Sequence, residues 1–572
     1  MDSKKIFLFR IRLISFFTIL IGVFFVSKLF SLQVIKKEAY AETADRSYVK
    51  SSDTFDRGAI YFEKRDGSRI SAATVKTGYM IAMNPTLIKN PSDTYQKISE
   101  IITLDKEKFL EKAGKENDPY EELAGEISRE DADAITALDL PGITLYKHKW
   151  RFYPGESLSA QTIGFLGFGQ GDTLSGQYGL EKYYNETLLK EEENLYVNIF
   201  AEIFSGVKEV IFEGEERGGD VVTTIEPTVE NSLEKELLAV KEKYNPESAS
   251  GIIISPQTGE IYAMAHLPSF NLNDFESVTD VNMYSNPLVE NSYEFGSVVK
   301  PLVLAAGIDL GVLSESTPFY DKGSVQVEDK LIQNFDKRGR GQTTMQTVLS
   351  ESLNTGMVYA MQKIGRPKFK EYMLDYRLGE KTNIDLPNEA KGLVSNLDEP
   401  RELEYANISF GQGISFSPVV LVRALSALGN GGYLIRPHVV KEIDYHDIGS
   451  KEFTYLKEDQ PRVLKEETSR AISKMMTYSV DNVYGDGKYK MPDYSIAAKT
   501  GTAQIPNPAG GYYEDRNLHT FIGYFPSYDP QFLIFLSIRA PQGVRYAAET
   551  LSEPFFSLTK FLINYYEIPP DR

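Results

Sequence analysis

The sequence predicts a multi-domain α+β protein, and three observations carry that reading. The chain has 572 residues, more than one ordinary domain holds at roughly 100–200 residues each. Strand-like segments open and close the region 218–572, with helical spacing between them, so its sheet must draw on both ends of the region. Residues 36–217 mix short strands, turns and helical spacing and contain no internal repeat.

Composition removes several function classes. Apolar residues make up 42% and charged residues 25%, which excludes disordered and collagen-like chains. Lys and Arg number 62 against 81 Asp and Glu, a net charge of −19. That argues against a nucleic-acid binder, which needs a basic footprint. With no cysteine, disulfides, thiolate catalysis, iron–sulfur clusters and cysteine zinc sites are excluded, though the compartment stays open. The five histidines, His148, His266, His438, His446 and His519, include no pair at metal-ligand spacing. No metal and no cofactor is expected.

Taken in order, residues 1–12 carry Lys4, Lys5, Arg10 and Arg12. Leu13 to Val26 are uncharged, and after Lys28 an apolar stretch continues to Ile35. A helix over 13–35 spans roughly 30 Å of hydrocarbon, with Lys28 snorkelling. The early cations place residues 1–12 in the cytoplasm and the body outside. The competing reading is a cleaved signal peptide, since Ala39-Tyr40-Ala41 fits an A-x-A site. That site lies beyond the apolar core, after Lys36, Lys37 and Glu38, which favours an uncleaved anchor. Residues 36–56 continue the helix into a polar exit. RGAIYF, RISAATV and GYMIAMNP read as strands, 84–140 as helical, 141–180 as strand-like and Gly-rich, and 181–217 as acidic and irregular. From Gly218, DVVTTIEP reads as a strand, NSLEKELLAVKEKYN as a helix, and ASGIIISPQTGEIYAMAHL as two strands around a turn. A helix-rich middle, 296–430, precedes the strands YSIAAKTGTAQI, HTFIGYFP and FLIFLSIRA and a last helix over 551–566.

Three short motifs stand in order in this second region. Ser297-Val298-Val299-Lys300 precedes the helix-like PLVLAAGIDL, Ser352-Leu353-Asn354 lies within LSESLNTGM, and Lys499-Thr500-Gly501 sits in a strand. Singly they are weak. S-x-x-K recurs at Ser47–Lys50, Ser205–Lys208 and Ser557–Lys560, K-T-G at Lys76–Gly78, and S-x-N at Ser269–Asn271. Order, spacing and local structure together decide.

That set resembles the serine penicillin-recognising enzymes, the penicillin-binding proteins and serine β-lactamases. DRGAI (Asp56–Ile60), RFYPGESLSAQTIGF and GQYGLEK (Gly176–Lys182) are similar to the pedestal of class B penicillin-binding proteins. GIIISPQTGEIYAMAHLPSFNLN, FGQGISFSP and NGGYLIRP resemble segments of their catalytic domain, and the likeness covers 13–572. It implies a cytoplasmic tail 1–12, an anchor 13–35, a dimerisation or pedestal domain 36–217 and a transpeptidase domain 218–572. The last would be an antiparallel sheet flanked by helices, with a helical subdomain.

Acyl transfer needs a nucleophile, a proton acceptor and donors for the oxyanion. Residues i and i+3 share a helix face, so Lys300 can reach the Ser297 hydroxyl. A helix start supplies positive potential there, and Pro301 suits a first turn at the loss of one amide donor. Lys300 acts as a base only when neutral, and Lys499 is the second cation that would depress its pKa. Ser352 and Asn354, two apart on a turn, can point into one cleft. The resemblance makes Ser352 a proton relay and Asn354 a ligand of the substrate amide. On an edge strand, Lys499, Thr500, Gly501 and Thr502 would meet a peptide carboxylate, with β-augmentation along the strand. The backbone N–H groups of Ser297 and Thr502 would form the oxyanion hole by the same resemblance.

The activity implied is a peptidoglycan D,D-transpeptidase that cross-links stem peptides through a Ser297 acyl-enzyme and is acylated by β-lactams. Its setting would be the bacterial cell membrane, single-pass, with the catalytic domain outside. The partners implied are a polytopic glycosyltransferase and proteins of the division or elongation machinery. Two alternatives stand beside it: a D,D-carboxypeptidase or β-lactamase-like hydrolase, and a non-catalytic β-lactam-binding scaffold. Each motif also has a plain structural reading: an N-cap serine with a solvated lysine, turn chemistry, and a strand-end glycine. His519 reads as structural, Glu294 as a helix-start charge, Trp150 as core and the acidic run 191–216 as solvated. The sequence departs from the family at Phe295, where proline is common, at Leu353, and in SFSPVVLV after Gly413, which lacks a glutamine. None of these removes a reacting group.

Overall fold

The structure is a computed structural model that describes residues 56–572, except 116–117, 169–173, 190–217, 446–448, 454 and 456–458. The cationic stretch 1–12, the apolar segment 13–35, the polar exit as far as residue 55 and the acidic run 191–216 lie outside the described residues. Among the described residues no helix is long and apolar enough to cross a membrane. Two compact units are present. One is Val75–Arg151, and the other joins Arg57–Thr74 to the described parts of Phe152–Glu191 and Leu195–Arg572.

In the first unit the second half of the strand Arg69–Met83 pairs antiparallel with Glu121–Ile127. The helices Pro91–Ser99, Lys106–Ala113 and Arg129–Ala137 start where Asn90, Asp105 and Ser128 accept backbone N–H groups in the first turn. Ile81, Ile98, Phe109, Ile127 and Ile135 form the core. The helical reading of 84–140 missed the strand at Glu121–Ile127, whose short, partly exposed sequence gains its partner only from Tyr79–Met83. Trp150 is core, as read, with the Lys76 ammonium 5.7 Å from its ring. The stray K-T-G at Lys76–Gly78 lies here. A Cβ on Gly78 would come within 2.4 Å of Ile127 O, so this glycine serves strand approach.

The second unit is built on five antiparallel strands, β1 (Ser248–Ile254), β2 (Ile261–Leu267), β3 (Ala497–Pro506), β4 (Tyr512–Phe525) and β5 (Phe532–Arg539), in the order β3-β4-β5-β1-β2. The sheet joins both ends of the region, as expected, and β3 is an edge. Its main helices are α1 (Pro227–Tyr244), α2 (Lys300–Asp309), α3 (Asn354–Ile364), α4 (Glu466–Asn482) and α5 (Ala547–Tyr566). Along β5, Phe532, Ile534, Leu536 and Ile538 pack in one core with residues of α1 and α5. Leu533 and Phe535 join the core that contains α2 and α3. Both faces are covered, which is why this antiparallel strand reads as an unbroken apolar run instead of an alternation. Helix α2 is buried from Lys300 to Gly307, so it too is apolar all round.

The helix-rich middle holds two small sheets that periodicity did not reveal. Pro318–Asp321 pairs with Gly341–Thr344, and Ser324–Val327 with Lys330–Gln333. The second is a hairpin turning at Glu328 and Asp329, with Glu328 at φ +48°. Helix α5 begins at Ala547, four residues before the expected start, where the Glu549 carboxylate accepts the Tyr546 N–H at 3.0 Å.

The unit also unites two segments that carry the family resemblance. Arg57 of DRGAI donates from Nε to Glu181 Oε2 of GQYGLEK at 2.8 Å, and from Nη2 to Glu181 O at 2.9 Å. Both side chains are buried. Removing one partner of such a pair leaves a charge without compensation in the core. Glu181→Ala is therefore expected to lower stability by about 3–5 kcal/mol in urea unfolding. The double change Arg57→Met, Glu181→Leu should recover most of that loss.

Candidate active site

Ser297 lies on the short turn Gly296–Val299 that leads directly into α2. The expectation of a helix start holds, with the refinement that the serine is on a 3-10 turn and Lys300 is the first α-helical residue. Pro301 falls in the first helical turn, where its missing N–H has no intrahelical role. The turn that carries Ser297 is wedged against two backbones. A Cβ on Gly411, in the F-G-Q-G stretch, would sit 2.0 Å from Gly296 O, and one on Gly501 would sit 2.7 Å from Phe295 O. Only glycines allow this approach, and the second of them is the glycine of the third motif.

The second motif is placed by a helix end. The helix Met345–Ser350 closes with Ser352 N–H on Leu349 O at 3.3 Å and Leu353 N–H on Val348 O at 3.0 Å. This is the Schellman pattern, in which the left-handed residue is commonly glycine. Here it is Ser352, at φ +57°, a conformation that costs a non-glycine residue about 1 kcal/mol. Leu353 and Val348, both fully buried in one apolar core, occupy the two positions whose side chains commonly meet in this motif. This accounts for Leu353 in place of a polar residue. Helix α3 then starts at Asn354.

These elements converge on the two lysines. Lys300 is fully buried, and its Nζ donates to Ser352 O at 2.6 Å and Asn354 Oδ1 at 2.8 Å and is hydrogen-bonded to Ser352 Oγ at 3.2 Å. Lys499, 1% exposed on β3, donates to Ser352 Oγ at 3.1 Å and Thr500 O at 2.8 Å. The hydroxyl shared by the two amines is thus that of Ser352. Burial holds the Lys300 amine well below the usual lysine range, and the charge of Lys499 adds to this as the smaller cause. The expectation had named only the neighbouring cation. Burial alone brings Lys499 down to about 7.

A cavity of about 680 Å³ runs past these groups, bordered by Ser297, Ser352, Asn354, Lys499, Thr500 and Thr502. Lys300 is reached from it through Ser352 and Asn354. Gly501 packs behind it, against Phe295 and Val298. The Thr502 hydroxyl accepts the N–H of Ala547 at 3.0 Å, tying β3 to the first residue of α5. Phe335 and Tyr546 border the same cavity, with ring centroids 5.6 Å apart. His519 is fully buried between Thr550 Oγ1 and Arg545 O, and burial lowers it to about 4. It is structural, as read. Glu294 accepts the Tyr512 hydroxyl at 2.9 Å. Sequence reading missed Phe335, Tyr546 and the buried Asp321, whose neighbours in sequence carry no motif.

Residues 249–558 match the penicillin-binding protein transpeptidase domain, and residues 55–199 match the penicillin-binding protein dimerisation domain. The chain belongs to the class B penicillin-binding proteins. Stage V sporulation protein D of Bacillus subtilis (strain 168) is 30% identical over 508 residues, 87% of this chain and 76% of that protein. Peptidoglycan D,D-transpeptidase FtsI of Escherichia coli (strain K12) is 27% identical over 456 residues, covering 78% and 73%. The crystal structure of Penicillin Binding Protein 2X from Streptococcus thermophilus superposes with a TM-score of 0.70 at 19% identity, covering 90% of this penicillin-binding protein and 80% of that chain.

A buried lysine whose pKa falls from 10.5 to about 7 is on the order of 4–5 kcal/mol less stable as a cation than in the unfolded chain. Below about pH 7 it is protonated in both states, so folding carries the whole penalty. Between 7 and 10.5 the unfolded chain binds more protons, and stability rises with pH. Lys499→Met should therefore raise the thermal unfolding midpoint strongly at pH 6 and much less at pH 10, while abolishing activity.

Proposed function

We propose that this class B penicillin-binding protein is a membrane-anchored peptidoglycan D,D-transpeptidase that works through a Ser297 acyl-enzyme. One observation carries the reading: Lys300, Ser352, Asn354 and Lys499 form one hydrogen-bonded cluster on the groove that Ser297 borders. The family and the names of its relatives support the reaction class.

In this mechanism the Ser297 oxygen attacks the carbonyl carbon of the penultimate D-alanine of a stem peptide. Its proton passes to Lys300, whose burial favours the neutral form that can accept it. Backbone N–H groups of Ser297 and Thr502 hold the oxyanion. Asn354 and the β3 edge bind the peptide, while Lys499 and Thr500 face its carboxylate. Ser352, bonded to both amines, relays that proton from Lys300 to the leaving D-alanine nitrogen as the peptide bond breaks, which leaves Lys300 neutral again. The acyl-enzyme is then attacked by an amine of a neighbouring stem, which closes the cross-link and releases Ser297. A β-lactam enters by the same acylation.

The apolar segment 13–35 would anchor the protein, with 1–12 in the cytoplasm and the dimerisation domain 36–217 and transpeptidase domain 218–572 outside. A polytopic glycosyltransferase and proteins of the division or elongation machinery would be its partners.

A fluorescent penicillin should label the protein, with the adduct mapping by mass spectrometry to Ser297, and an adduct elsewhere would refute the site. Ser297→Ala should abolish labelling at an unchanged unfolding midpoint, and Lys300→Ala should slow it by about 10³-fold or more. Cross-linked product from stem-peptide substrates separates a transpeptidase from a hydrolase or a scaffold.

A further inference from the structure

The base in this centre depends on which way an amide faces. A neutral lysine amine has two N–H donors and one lone pair. Around Lys300 Nζ, Ser352 O at 2.6 Å and Asn354 Oδ1 at 2.8 Å are acceptors that cannot donate. They take both N–H groups and leave the lone pair for the third neighbour, the Ser352 hydroxyl at 3.2 Å. An amide has nearly the same shape when turned over. With Nδ2 of Asn354 facing the amine, its N–H would donate into the lone pair and occupy the base.

A network that runs from the exposed Gln333 carbonyl into the core decides the orientation. Asn354 Nδ2 donates to Gln333 O at 3.0 Å, at the end of the hairpin strand Lys330–Gln333. The next residue, Asn334, is 2% exposed. It accepts at Oδ1 from Thr355 N at 3.2 Å and from Nδ2 donates to Asp321 Oδ2 at 2.9 Å and Arg338 O at 3.1 Å. Asp321 is 1% exposed. Its carboxylate also receives Gly323 N at 2.8 Å, the Thr355 hydroxyl at 2.7 Å and Arg340 N at 3.0 Å. Gly323 N, Arg340 N and Asn334 Nδ2 can only donate, and the Thr355 hydroxyl lies between two acceptors, Asp321 Oδ1 at 2.7 Å and Asn334 Oδ1 at 3.1 Å, so the bonds to Asp321 run one way. Asp321 draws Asn334 Nδ2 toward itself, Asn334 Oδ1 must then face Thr355, and the start of α3 is clamped to the hairpin. Gln333 O is left opposite Asn354, where only a donor fits.

We propose that Asp321 is a positioning residue of the proton-transfer centre: acting through Asn334 and Thr355, it holds the Asn354 amide with its oxygen toward Lys300 and so keeps the lysine lone pair free. This rests on the acyl-transfer reading of the site. The charged groups around it are accounted for. Lys499 meets Lys300 across Ser352, and the Arg340 guanidinium is engaged with Asp336 and Glu351.

The test is the second-order rate of acylation by a fluorescent penicillin across pH, on the full chain, for Asp321→Asn, Thr355→Val and Thr355→Ser. Asp321→Asn and Thr355→Val are expected to lower the plateau by about 10–100-fold. They should also move the acidic limb down by about one pH unit, because an N–H donated to the lone pair favours the neutral amine. Thr355→Ser, which keeps the hydroxyl, should retain the wild-type plateau and limb. If Asp321→Asn does not fold, the Thr355 pair decides. Wild-type rates and limb in the variants, or a lower plateau with an unmoved limb, overturn the proposal. A wild-type protein not labelled at Ser297 would instead remove the reading of the reaction on which it rests.

Discussion

Two lysine amines share one serine hydroxyl at the buried wall of the cavity, and the elements around them are arranged about that unfavourable fact. Lys300 and Lys499 are both hydrogen-bonded to Ser352 Oγ, at 3.2 and 3.1 Å, and both are almost wholly buried, Lys499 at the cavity wall. In water two such groups would both be cations. Here burial disfavours the charge on each, and the second charge adds to the burden on the first. A neutral amine becomes available near neutral pH without a histidine. The cost falls on folding, and large apolar cores against both faces of the sheet offset it.

Holding the amines there requires three remote stretches of chain to approach more closely than side chains permit. The turn before α2 meets the edge strand at Gly501 and the F-G-Q-G loop at Gly411. The second motif enters through a helix end that places a serine where glycine is usual. A strained serine backbone and two backbone-to-backbone contacts thus set the positions of Ser297, Ser352 and Lys499. The buried carboxylate of Asp321 then ties the hairpin to α3. Each device is local, and each acts on the same few cubic ångströms.

Much of this was legible in the chain. The strands β1 to β5 announced themselves through apolar runs and turn residues, and their division between the two ends of the region implied one sheet. The motif residues were legible as a set, because their order excluded the stray matches such as Lys76–Gly78. What stayed hidden had a common cause. Glu121–Ile127 and the hairpins of 318–344 are short strands with polar, exposed faces, so no periodic signal marks them. Asp321, Asn334 and Thr355 are polar residues buried by mutual hydrogen bonding. Sequence gives such residues the look of loop chemistry.

The amino-acid sequence by itself carried the three motifs and the family they belong to, because a serine, a lysine and their spacing are properties of neighbouring residues. It also determined which segments are apolar enough to form the sheet and the buried helix α2. Only the tertiary structure decided which hydroxyl the two amines share, that burial outweighs charge repulsion in lowering the base, and which way the Asn354 amide faces. Those depend on distances between residues far apart in the chain and on exclusion of water, and neither quantity exists until the chain has folded.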